Sequence, residues 1–155
     1  MAFDRAGFRQ DGSPYINGPT LSPQLRPLAF LGLHNYLPDA APAAPGASLL
    51  SDSDYGISAS EFALDIPPQS ALEWTWGSPV QVDSLILYAQ NGEDAAGRFV
   101  FDGDDTLPFT MAAGSIALGD SLRLHFEPRR VSRLQIIWDG PAPLVHELLV
   151  IGRAP

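Results

Sequence analysis

The sequence has no cysteine and no lysine. Without cysteine, disulfides, thiolate zinc sites, iron–sulfur clusters and a cysteine nucleophile are all excluded, and stability has to come from packing. Without lysine, all the basic residues are arginine, nine of them against 18 Asp and Glu, for a formal charge of −9. A chain of that sign gains nothing from counterion release, so DNA, RNA and anionic membrane surfaces are poor partners, a local arginine patch aside. Long apolar runs are also missing. Stretches such as 28–33 and 148–151 fall far short of the roughly 20 residues of a membrane span, so no membrane insertion is expected. The opening residues, Met1-Ala2-Phe3-Asp4-Arg5, show no apolar signal-peptide core, and synthesis in the cytoplasm is expected. Charged residues are only 17% of the chain and hydrophobic ones 45%, which is not the composition of a disordered protein. Helix-forming stretches are sparse, interrupted by 15 Pro and 14 Gly. Because Pro costs about 3 kcal/mol inside a helix, a helical bundle is disfavoured.

What is present divides near Gly46. Residues 1–46 hold seven of the 15 Pro and balance three acids with three Arg, whereas 47–155 hold 15 acids and six Arg. The first segment reads as an extended Pro-rich arm: its Ser13-Pro14, Gly18-Pro19, Ser22-Pro23 and Arg26-Pro27 pairs push the chain into extended or turn geometry. Its Phe, Tyr, Ile and Leu content is too high for a free linker. The Pro/Ala stretch 38–45 is the stiffest linker candidate.

From Ala47 onward short strands alternate with turns. Leu72-Glu73-Trp74-Thr75-Trp76 alternates and stops at Gly77-Ser78-Pro79. Residues 80–89 follow as a β-branched and aliphatic run ending at Asn91-Gly92, a favoured tight-turn pair. Residues 98–102, 121–127, 132–138 and 144–151 continue the series, with weaker candidates at 106–111 and 115–118. In 121–127, Leu122, Leu124 and Phe126 take one face and Arg123, His125 and Glu127 the other, the period of a half-buried strand. Seven or eight strands without an amphipathic helix predict an all-β antiparallel sandwich or barrel.

Three pieces carry a family resemblance: residues 72–76 with 80–87, residues 131–137 with Arg133, and the closing His146-Glu147-Leu148-Leu149-Val150-Ile151-Gly152. In order and pattern they resemble the discoidin or coagulation factor type C group of galactose-binding-like jelly rolls, over a little more than half the chain. The resemblance implies a non-catalytic module whose loops contact glycans, lipids or protein, sometimes beside a structural calcium. The disulfide that often ties the ends of such domains cannot form here.

Candidate ligand-binding residues are Trp74, Trp76 and Trp138, whose indoles could stack on a sugar ring, and Arg129, Arg130 and Arg133, the densest basic cluster. Two strand-spaced indoles are equally suited to filling a sandwich core. Trp138, directly before Asp139-Gly140-Pro141, is expected to be the most exposed. Asp102, Asp104 and Asp105, and separately Asp52 and Asp54, offer carboxylates to a calcium ion. Neither run has the distal Glu of an EF-hand loop, and a solvated Asp/Gly turn explains them without metal. No cofactor beyond that structural calcium is implied. His34, His125 and His146 lack ligand spacing, no Gly-x-Ser-x-Gly elbow exists, and adjacent carboxylates cannot flank a glycosidic bond, so no catalytic residue is assigned.

The function expected is a non-catalytic structural or attachment subunit of a larger assembly, such as a bacteriophage virion protein. Its arm would bury apolar residues on neighbouring protein subunits, with glycans as a further partner. A stand-alone glycan-binding module, or an accessory domain of a carbohydrate-active enzyme, is the alternative.

Overall fold

The computed structural model describes residues 32–43, 47, 50, 71–90, 92–113 and 122–153, with the backbone of two further strands near the N-terminus. The elements are β1 (Arg5–Phe8), β2 (Pro14–Asn17), β3 (Leu33–Asn35), a 3-10 turn (Leu37–Asp39), β4 (Ala41–Pro42), β5 (Ala71–Gln90), β6 (Ala95–Phe101), β7 (Asp105–Met111), β8 (Leu122–Trp138) and β9 (Leu144–Arg153). All pairings are antiparallel, and no α-helix occurs among the described residues. Among the described residues β1 and β2 pair with each other alone, while the other seven strands form one continuous network.

Two long strands organise that network. The first part of β5, from Ala71 to Thr75, lies between β4 and the second part of β8, whose other edge carries β6 and then β7. The last part of β5, from Ser84 onward, lies between the start of β8 and β9, which in turn pairs with β3. β5 and β8 therefore pass through both layers and fold the network into an open, jelly-roll-like sandwich. The alternation of each strand sends one set of residues inward. Leu72, Trp74, Phe99, Phe101, Phe109, Leu134, Ile136 and Trp138 from one layer meet Leu85, Leu87, Leu148 and Val150 from the other in a single core.

The sequence breaks at Gly77-Ser78-Pro79 and around Pro128 are not turns between separate strands. They are irregularities inside β5 and β8. Between Thr75 and Val80 four β5 residues face a single residue of β8, and between His125 and Arg129 three β8 residues face Asp83 alone. Pro has no N–H to give the ladder, so Pro79 and Pro128 fall where pairing lapses. The long strands bend at these points.

Two glycines permit close approaches. A Cβ on Gly97 would lie 2.6 Å from the Ile137 carbonyl oxygen and 2.9 Å from the Phe109 ring. Gly97 thus leaves room for the edge-to-face pair of Phe109 and Trp138, with centroids 5.2 Å apart. On β9, Gly152 backs directly onto the Gln81 carbonyl.

Residues 33–42, which composition assigns to the arm, belong to the sandwich. Besides the β3 and β4 pairings, Tyr36 and Leu37 are buried in the core. The Tyr36 hydroxyl donates to the Arg153 carbonyl at 2.5 Å, and its own carbonyl accepts from the Trp76 indole at 2.8 Å. Asn35 Oδ1 accepts from the backbone of both Leu37 and Val150. The strand candidate at 115–118 lies outside the described residues.

Candidate functional site

The β8 irregularity does more than bend the strand. With Pro128 unable to pair, Phe126, Glu127 and Pro128 bulge away from β5 and open a cleft of about 480 Å³, lined also by Gln81 and Asp83 of β5, His125 of β8 and Arg153 at the end of β9. Carboxylates, an amide, an imidazole and a guanidinium thus converge beside one aromatic ring. Phe126 is partly buried against the core: its ring packs 5.5 Å from that of Phe101, and the Arg129 guanidinium sits 4.6 Å from the Phe101 ring centre and 4.7 Å from that of Phe126. Asp105 fixes that guanidinium through an ion pair of 2.5 Å. Cation–π contact and charge pairing together hold the ring in place.

Next to the cleft, the Ser84 hydroxyl donates to Asp83 Oδ1 at 2.8 Å, and His125 Nδ1 lies 2.9 Å from the same hydroxyl oxygen. A serine has one proton to give. With that proton on Asp83, the imidazole must carry its own hydrogen on Nδ1 and donate it, which leaves Nε2 as an acceptor when the ring is neutral. This is the reverse of a nucleophilic arrangement, in which the histidine would take the serine proton.

The tryptophans lie elsewhere. Trp74, Trp76 and Trp138 are 1%, 7% and 2% exposed, all in the core, so the expectation of a surface Trp138 is corrected. Phe109 packs edge-on against it. None of the three offers a face to a ligand.

Arg129 is occupied as described. Arg133 bonds Glu73 at 2.7 Å, a carboxylate that also accepts from Gln135 at 2.7 Å. Glu73 is held below the usual carboxylate range by the Arg133 hydrogen bond first; burial opposes this, and the Gln135 bond and the Arg133 charge add to it. Arg130 is exposed across from Gln81 but does not line the cleft. The expected arginine cluster is thus divided among three surroundings.

The acidic turn at 102–105 has a local role. Asp102 has φ of 51°, and its Oδ1 accepts from the backbone N–H groups of Ser132 and Arg133 at 3.0 Å and 2.9 Å. Asp105 pairs with Arg129, and Asp104 is exposed. Among the described residues no group of three potential ligands is placed to hold a metal ion. Asp52 and Asp54 lie outside the described residues.

The cleft residues escaped the sequence reading because they come from three strands and form no motif. The available signal was Pro128 in the middle of an otherwise regular strand pattern, since such a proline marks a bulge.

No protein-family model matches the chain, and no curated protein sequence matches it. Solved structures do. A pectin-binding carbohydrate-binding module superposes with a TM-score of 0.52 at 7% identity, covering 76% of this chain and 91% of that one. A putative α-L-fucosidase from Bacteroides thetaiotaomicron matches with a TM-score of 0.50 at 16% identity, over 79% of this chain and 29% of the other. A rhamnosidase from Novosphingobium sp. PP1Y matches with a TM-score of 0.49 at 19% identity, over 73% of this chain. The chain spans only 11% of the length of that rhamnosidase and 29% of that of the fucosidase. The fold is an all-β jelly-roll sandwich shared with that pectin-binding module, the fold that the resemblance implied. None of these three is a virion or assembly protein.

Proposed function

We propose that this chain is a non-catalytic glycan-binding module, either free-standing or an accessory domain of a carbohydrate-active enzyme. The observation that carries the reading is the cleft at the β5/β8 bend. Its volume falls within the range of small-molecule sites, and it combines one clamped aromatic ring with several planar polar side chains. That mixture suits a sugar, whose ring has apolar C–H faces and hydroxyls that both donate and accept. The likeness to a pectin-binding module supports the reading at the level of scaffold. The arm-mediated assembly expected from composition loses part of its basis, because residues 33–42 pack into their own sandwich.

A glycan array followed by titration calorimetry tests the proposal. Binding to at least one glycan class is expected, weakened tenfold or more by Phe126→Ala and also reduced by Gln81→Ala, an exposed change that spares the core. Silence across the array, or binding untouched by both variants, would refute it.

A further inference from the structure

Resting on the glycan-binding reading, we infer that the cleft selects glycans bearing protonated amino groups, such as unsubstituted glucosamine oligomers, over glycans bearing uronate carboxylates. Asp83 and Glu127 place two carboxylates in the cleft against one guanidinium, that of Arg153. Among the described residues neither Glu127 nor Arg153 takes part in an ion pair, so the cleft charges do not cancel one another by direct contact. The hydrogen bonds around the cleft leave its carboxylates open to a ligand. Ser84 spends its proton on Asp83, and His125 spends its Nδ1 hydrogen on Ser84. What remains for a ligand is the carboxylate oxygens, the Gln81 carbonyl and, in the neutral ring, His125 Nε2 as acceptors, with the Arg153 guanidinium and the Gln81 amide as donors. An ammonium brings three donors and no acceptor. A uronate brings the opposite and would find only Arg153 in the cleft, beside Asp83 and Glu127, since Arg98, Arg129 and Arg133 are paired with Asp139, Asp105 and Glu73. The chain's charge of −9 acts in the same direction at longer range.

Three probes settle the matter by calorimetry at low and moderate salt: a glucosamine hexamer, its N-acetylated counterpart and a galacturonate hexamer. The glucosamine oligomer is expected to bind at least tenfold more tightly than the acetylated one, with affinity falling as salt rises, and the galacturonate not at all. Glu127→Gln should remove most of that tenfold preference, weakening the glucosamine oligomer more than the acetylated one. Asp104→Asn, which removes the same charge from the exposed β6–β7 turn, should leave the preference in place. Equal or tighter binding of the acetylated or uronate probe overturns the inference while leaving the glycan reading intact. Equal losses in the two variants overturn it too, because attraction would then be a property of the whole surface. Failure of all three probes to bind also overturns it, and the glycan reading is then decided by the wider array alone.

Discussion

Gly152 is where two backbones come closest, and adding one methyl group there tests the bend directly. A Cβ at this position would stand 1.8 Å from the Gln81 carbonyl oxygen, 2.9 Å from the Gln81 carbonyl carbon and 3.1 Å from Val82 Cα. All three are main-chain atoms, and β5 is pinned there by pairing of Val80, Gln81 and Val82 with Val131, Arg130 and Arg129. No side-chain rotation relieves the clash. To bring the shortest contact from 1.8 Å to the ordinary 3.4 Å, β9 and β5 must part by about 1.6 Å, in a segment where β9 also carries β3. Overpacking a core costs roughly 1–3 kcal/mol, occasionally more, and backbone against backbone belongs at the upper end. For a chain of this size, about 3 kcal/mol corresponds to a fall in melting temperature of about 6–12 °C. Urea and thermal unfolding of Gly152→Ala, followed by two probes, measures it. Gly77→Ala is the control: it meets nothing within 4 Å and should stay within about 0.5 kcal/mol of the parent. Should Gly152→Ala prove as stable as the control with an unchanged denaturant slope, the close approach of β9 to the bend is wrong. Because Gln81 and Arg153 both line the cleft, any Gly152→Ala protein that folds should also bind ligand more weakly.

Glu73 makes stability depend on acid. Its pKa is lowered in the folded state, so its contribution is complete above the ordinary glutamate value of about 4.3 and is lost as pH falls through the depressed one. The stability difference between parent and Glu73→Gln should therefore shrink on acidification below about pH 4–5. Its size is modest because solvent reaches Arg133, and a pH-independent difference would contradict the ion pair. Asp102→Ala removes two backbone hydrogen bonds and puts alanine at φ 51°, and should cost about 2 kcal/mol. Calcium should not move the melting temperature of the parent, and a clear rise that Asp104→Asn abolishes would restore the acidic turn as a metal site.

Much of the fold was legible because these strands are half-buried, and burial on one face writes itself as alternation. Residues 122–126 and 72–76 show this directly. β9 was less transparent: from Val145 to Gly152 every residue is buried, His146 and Glu147 included, so its pattern carries little alternation. The continuity of β5 and β8 was hidden for a different reason. Gly77, Pro79 and Pro128 look locally like strand ends, and only pairing with residues more than 40 positions away shows the ladder resuming. Trp138 misled because a Gly-Pro loop follows it, whereas its exposure is set by Phe109 and Gly97 on neighbouring strands. Tyr36 and Leu37 were hidden in a Pro-rich stretch for the same reason. The cleft was the least legible feature, since each of its residues is unexceptional in its own strand.

The sharing of β5 and β8 between both layers also sets the order in which the chain can fold. Even the end of β5 leaves a ribosome some 30 residues before any of β8 and more than 50 before β9, so a long strand must wait without those partners. Neither layer can close alone, because each needs a different part of the same two strands. Folding should therefore proceed on the slow scale of all-β proteins, milliseconds to seconds, and as one event. During that wait the exposed strand is open to association with other chains, which makes refolding yield, more than equilibrium stability, the quantity most sensitive to protein concentration.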